Sequence, residues 1–213
     1  SSSSFQQLLL NFLQRAISCR AKSCINTLLQ DIISLDEEDD INKRNCVHRL
    51  VINIGRSKSG VTFGADGAVL QTSNEARNFI LPATDPNRQP RPWTTTEEES
   101  TQLLSENDES VRLLIYLLDQ LREEQRNALQ SRDSYGRLPL HYAAQYGFVV
   151  ICEVVMKHMQ DWGQFDVSQG IDSDHWQDAE GNAPLHLSVM GGHPLTTKAL
   201  LAAESWRGTN EVK

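Results

Sequence analysis

The chain has 213 residues, a formal net charge of −8 and 4 cysteines. The acidic balance argues against non-specific nucleic-acid binding, which needs a basic surface. No run of about 18 apolar residues is present to span a membrane. Four cysteines are too sparse for a disulfide scaffold, so Cys46 and Cys152 are expected as buried small hydrophobes in a reducing compartment. At this length roughly 70% of the unfolded chain's surface can be buried, enough for one globular body or one repeat array. With no initiator Met and no signal-peptide pattern, the sequence is expected to be a piece of a longer protein.

Phe5, Leu8, Leu9, Phe12, Leu13, Ala16 and Ile17 recur at helical spacing and predict an amphipathic helix. After a break at residues 20–22, Ile25, Leu28, Leu29, Ile32 and Ile33 predict a second. Residues 1–35 are read as a divergent N-terminal helical repeat; the alternative is the helical end of a preceding domain. Residues 36–40 are an acidic run, expected as a solvated loop, with docking of a basic partner as the second reading. Residues 36–54 form the turn and inner helix of a second repeat, the helix spanning 46–54.

Residues 55–107 hold four Gly and the clustered Pro82, Pro86, Pro90 and Pro92. That composition predicts a long polar insertion, largely disordered, in which 61–63 and 68–70 pair as short strands. Closing so long a loop costs only about 2 kcal/mol more than closing a tight turn. Residues 108–130 then hold the outer helix of the second repeat, marked by Val111, Leu114, Ile115, Leu118 and Leu121, with Asn107 or Asp108 as its N-cap. Residues 131–177 are a third repeat, with an inner helix near 138–146, an outer helix carrying Ile151, Val154, Val155 and Met159, and a short insertion over 161–176. Residues 178–213 are a fourth repeat and C-terminal tail. Its inner helix is expected near 184–190, Pro194 opens its outer helix, and 207–210 approach another turn.

Three copies of one pattern set this organisation. The first is Asp133-Ser-Tyr-Gly-Arg-Leu-Pro-Leu-His-Tyr-Ala-Ala-Gln-Tyr-Gly147, the second runs from Asp178 to Gly192, and a degraded third runs from Asp40 to Val51. In each, His follows Asp by eight residues. Asp and Gly make a tight turn, Pro fits the first helical turn, and Gly147 ends the helix in the left-handed region. The pattern resembles the ankyrin repeat, departing at Leu138, where Thr is usual, and in the third copy at Cys46, which stands where Pro is usual. The resemblance implies an all-α ankyrin-repeat solenoid of about four helix-turn-helix units, with short hairpin turns and one long insertion. His48, Gly136, Pro139, His141, Gly147, Gly181, Pro184 and His186 are its structural signature. It also implies a partner-binding face, for which the candidates are Ser134, Tyr135, Arg137, Tyr142, Gln145, Tyr146, Ala179, Glu180, Asn182 and Leu187; Tyr and Arg are common hot-spot residues.

No catalytic constellation is legible, and no metal or cofactor is expected. Asp172, Asp174, His175 and Asp178 cluster, but on an insertion rather than on the rigid frame a metal site needs. Cys19 and Cys24 lack a zinc spacing. Gly64 to Gly67 lack the Lys-Ser/Thr of a phosphate loop. The three repeat histidines look catalytic by type, yet their shared position points to local hydrogen bonding.

A narrower resemblance covers most of the chain. Residues 5–17, 42–51 and the split repeat resemble the middle region of fungal phosphate-signalling proteins. That family carries an N-terminal SPX domain, central ankyrin repeats and a C-terminal glycerophosphodiester phosphodiesterase-like domain. Within it the chain most resembles the branch that inhibits a cyclin-dependent kinase under phosphate starvation. The resemblance implies a non-enzymatic module that binds and inhibits a cyclin–cyclin-dependent kinase complex, meets the flanking domains of its own chain, and resides in cytoplasm and nucleus. In the paralogous branch, which hydrolyses glycerophosphodiesters, the same region would be a spacer or regulatory module. Arg112-Leu113-Leu114 has the form of a cyclin-docking peptide, although Leu114 is expected to be buried.

Overall fold

Helical periodicity governs the architecture of the computed structural model, which describes residues 2–38, 40–59, 61–63, 69–71, 106–165 and 174–210. The fold is all-α. Its helices are α1 (Ser2–Ser18), α2 (Lys22–Asp31), α3 (Cys46–Ser59), α4 (Glu109–Gln120), α5 (Pro139–Tyr146), α6 (Val149–Asp161), α7 (Pro184–Met190) and α8 (Pro194–Asn210). A two-stranded antiparallel ribbon follows α3, pairing β1 (Val61–Phe63) with β2 (Val69–Gln71) in the register Val61 to Gln71. The ribbon is shifted by one residue from the expected 68–70. Of the 55–107 insertion, expected to be largely disordered, residues 55–59 belong to α3 and 106–107 precede α4, while 60, 64–68 and 72–105 lie outside the described residues.

The helices stack in two layers. In one, α1 packs on α3, α3 on α5 and α5 on α7; in the other, α2 packs on α4, α4 on α6 and α6 on α8. Within each pair α1–α2, α3–α4, α5–α6 and α7–α8 the two layers close on each other. The core runs along this seam, through Leu13, Ile25, Leu29, Val47, Val51, Leu114, Leu118, Leu140, Ala144, Ile151 and Val155. Cys46 and Cys152 are buried within it, as expected, and burial pushes the Cys46 thiol up to about 12.

The α1 stripe divides. Leu9, Leu13, Ala16 and Ile17 are buried, but Phe5, Leu8 and Phe12 remain about half exposed on its outer edge. Helix α2 ends at Asp31, and its terminal carbonyls are satisfied from across the chain. Gln125, itself buried, donates to the carbonyls of Leu29 and Ile32 at 2.8 and 2.7 Å, and Arg122 donates to the same two. Helix α3 runs past the expected stop at residue 54. Gly55 lies inside it because the Tyr146 ring presses there: a Cβ on Gly55 would sit 2.3 Å from Tyr146 Cδ2. Helix α8 also continues through 207–210, where a turn was expected.

Two residues of the acidic run, Glu37 and Asp40, are tied into the structure, whereas Asp36 and Glu38 are exposed as expected of a solvated loop. Glu37 is buried and pairs with Arg49, which also pairs with Asp40. Burial raises the Glu37 carboxyl above its ordinary range, partly opposed by Arg49. At the two ends of the short insertion, Trp176 is buried with its ring 5.6 Å from that of Phe165.

Asp108 starts α4. Its carboxylate accepts the Ser110 and Val111 N–H groups at 2.9 and 3.4 Å. Asp108→Ala should cost about 1 kcal/mol, the usual value of a lost N-cap, read as a lower midpoint in urea denaturation followed by circular dichroism.

Candidate functional site

Each repeat signature begins with an aspartate that holds its own turn. Asp133 Oδ1 accepts the Tyr135 and Arg137 N–H groups at 3.0 and 2.9 Å. Asp178 Oδ1 accepts those of Glu180 and Asn182, both at 2.9 Å. Asp40 Oδ2 does the same for Asn42 and Arg44 at 3.0 and 3.2 Å. The turns close through left-handed residues: Gly136 at φ 73°, Gly181 at φ 81°, and in the degraded copy Lys43 at φ 52°. Gly136 is needed twice over, since a Cβ there would also meet the Ala179 backbone nitrogen at 2.8 Å.

The histidines join successive turns. His48 Nδ1 accepts from Asn45 N–H at 3.2 Å, and its Nε2 donates to the Arg137 carbonyl at 2.8 Å. His141 Nδ1 accepts from Leu138 N–H at 3.0 Å, and its Nε2 donates to the Asn182 carbonyl at 3.0 Å. One accepting and one donating nitrogen require the neutral ring. Burial accordingly holds both imidazoles below their usual range, His141 at about 4. His186 Nδ1 accepts from Ala183 N–H at 2.9 Å in the same way, but the ring is exposed.

A second ladder runs beside the first. Arg44 Nε pairs with Asp133 Oδ2 at 3.2 Å, and Arg137 Nε with Asp178 Oδ2 at 3.0 Å. Tyr142 donates its hydroxyl to Asp133 and accepts from Arg44 at 3.0 Å. Both guanidiniums lie over the Tyr142 ring, at 5.2 and 5.6 Å. Burial, followed by the bond to Asp133, pushes the Tyr142 phenol up to about 12. The backbone repeats the theme, with Ser134 N–H donating to Asn42 C=O and Ala179 N–H to Tyr135 C=O.

These contacts sort the expected partner-binding residues. Ser134, Tyr135, Gln145, Ala179 and Glu180 are exposed. Arg137, Tyr146 and Asn182 are half-buried, with Arg137 bound to Asp178 and to Gln145. Tyr142 and Leu187 are buried. Arg44 escaped the sequence reading; its signal was its place four residues after Asp40, matching Arg137 after Asp133. Ile41 also escaped it, and stands 91% exposed beside the Tyr135 turn, making the turn edge partly apolar. Leu113 and Leu114 are buried in α4, so the Arg112-Leu113-Leu114 form is not available for docking. Among the described residues no group of His, Cys, Asp and Glu is placed to hold a metal; Asp172 lies outside them. An open groove of about 550 Å³ lies between α1 and α2, lined by Phe12, Cys19, Cys24 and Leu28 among others. Among the described residues, no helix is long and apolar enough to cross a membrane.

No family model matches the chain. It is 31% identical to a glycerophosphocholine phosphodiesterase, GDE1, of Eremothecium gossypii over 204 residues, covering 91% of this chain and 14% of that protein. It is also 31% identical to the protein of the same name from Candida albicans, covering 93% of this chain and 15% of that one. The chain therefore spans about one seventh of the curated relatives it matches. These matches correct the narrower resemblance. The relatives are named as phosphodiesterases, so the reading of the chain as the ankyrin region of a kinase inhibitor, with a cyclin–kinase complex as its target, is withdrawn. The expectation of a non-enzymatic protein is corrected on the same ground, since both relatives are named as enzymes.

Two outcomes follow from the ladder. Lys43→Gly relieves a left-handed side chain and should stabilise the chain by up to about 1 kcal/mol in urea melts. His141 titrates near 6.5 when unfolded and near 4 when folded. Its contribution is therefore complete above pH 6.5 and lost as pH falls toward 4, by on the order of 3 kcal/mol. His141→Gln should cost about 1–3 kcal/mol at pH 7 and flatten the stability–pH slope between those two values. An unchanged slope would show that the ring is not held neutral.

Proposed function

We propose that the chain is an ankyrin-type helix-turn-helix stack serving as a spacer and regulatory module of a fungal glycerophosphocholine phosphodiesterase, with the flanking parts of its own chain as partner. The observation that carries this reading is the 31% identity to two such enzymes across more than nine-tenths of this chain. The ankyrin-type reading is supported by the three aspartate turns and by His48 and His141, which tie one turn to the next. A contact edge for the rest of the enzyme is supported by the exposed turn residues Ile41, Tyr135 and Glu180, an apolar and acidic row suited to a partner with aromatic and basic groups.

The test is hydrolysis of glycerophosphocholine by the full-length protein, beside an internal deletion of this array and an Ile41→Ser, Tyr135→Ala double variant. The full-length protein should turn the substrate over. The deletion should change kcat or KM by roughly threefold or more, and the double variant should move the same constant in the same direction. Lack of hydrolysis by the full-length protein would remove the phosphodiesterase assignment. Unchanged constants in the deletion would remove the regulatory role and leave a spacer.

A further inference from the structure

The groove between α1 and α2 joins an apolar wall to an unspent cation. Phe12, Ala16, Ala21 and Leu28 give it an apolar lining, and its volume of about 550 Å³ lies in the range of small-ligand sites. Arg15 is the charged residue of the lining, which holds no acid. Its side chain is exposed and has no carboxylate partner among the described residues, whereas Arg20, Arg44, Arg49, Arg122 and Arg137 each hold one. The apolar strip continues along α1. Leu8 and Phe5 lie seven and ten residues before Arg15, on the same stripe as Phe12, and are about half exposed. At about 1.5 Å of rise per residue, Arg15 and Phe5 are roughly 15 Å apart along the helix. That is the length of one acyl chain, half of an about 30 Å bilayer core.

We infer that this groove binds a long-chain fatty carboxylate, with the carboxylate on Arg15 and the chain running past Phe12 and Leu28 toward Leu8 and Phe5. A planar guanidinium takes a carboxylate through two parallel bonds, and a hydrocarbon tail asks no polar partner of the lining. A purely apolar helix is a poorer occupant, because it would cover the guanidinium without a counter-charge. A second copy of this chain is poorer still. Meeting this face across a two-fold axis, it brings a second Arg15 on a helix that carries no acidic residue. The ligand also arises beside the proposed reaction. Glycerophosphocholine is a diacyl phospholipid without its two acyl chains, so the reaction class that supplies it, carboxylic-ester hydrolysis, releases fatty carboxylates. The site rests on α1 and α2; the source of its ligand rests on the proposed function.

The test is maleimide labelling of the full-length protein with and without sodium oleate, kept below its micelle concentration and read by mass spectrometry at each cysteine. Cys19 and Cys24 are exposed and line the groove, while Cys46 and Cys152 are buried and serve as internal references. Oleate should slow labelling of Cys19 and Cys24 saturably, by at least about fivefold. Methyl oleate, which lacks the charge, and oleate on Arg15→Gln protein should each need about fivefold more ligand for the same protection. Equal protection by the ester, or an unchanged requirement in Arg15→Gln, would overturn the inference. So would thiols that oleate leaves as reactive as before, or thiols unreactive without it because another part of the chain covers the groove. Labelling of Cys46 and Cys152 would overturn it too, since oleate would then be opening the fold as a soap. Protection is read on thiols and not on hydrolysis, so its failure leaves the proposed function standing, and failure of that function leaves the site standing.

Discussion

The stack depends on a neutral imidazole held between two turns. His48 and His141 each accept a proton from their own helix entrance and donate one to the next turn. A protonated ring has no acceptor nitrogen, so the first bond fails and the Leu138 or Asn45 N–H is left buried without a partner. The turn position relative to the helix layer follows from that bond. So do the placements of Asp133 and Asp178, and with them the arginine pairs. Helix packing alone would allow the units to slide; the directional bonds fix their register.

The same ladder engages side chains of binding type within the stack. Arg137 and Tyr142 are residues that often anchor interfaces. Here they are spent within the stack, Arg137 on Asp178 and Tyr142 on Asp133. Breaking such a pair leaves a charge with little solvent, which costs more than the pair itself contributes. What remains for a partner is the exposed outer edge of the turns. That edge mixes Ile41 and Tyr135 with Glu180, and its chemistry differs from that of the face behind it.

Much of the fold was legible in local pattern. The all-α class followed from helical spacing, and α4, α5 and α7 begin where their caps and prolines predict. What local pattern missed depends on contacts distant in sequence. Gly55 reads as a helix stop but is a seat for the Tyr146 ring. Residues 36–40 read as a solvated run because the partner of Glu37 and Asp40 is Arg49 on the following helix. Phe5, Leu8 and Phe12 read as core because periodicity reports a stripe without saying how much of it a neighbour covers. The site was legible only as residue types. Which of them face inward is decided by the Arg44 and Arg137 bonds to aspartates 89 and 41 residues away. The branch of the narrower resemblance went wrong for a related reason: the residues quoted for it are helical and turn residues that serve packing, and packing does not distinguish an inhibitor from an enzyme.

Residues 60–108 connect α3 to α4, and both helices are wedged between neighbours on each side. Covalent continuity through that stretch is therefore redundant with packing. A single backbone cleavage inside it would yield two polypeptides held together as one body, α3 keeping its place between α1 and α5 and α4 between α2 and α6. The stretch can accordingly accept insertions, or a whole guest domain, without the stack having to be rebuilt around them.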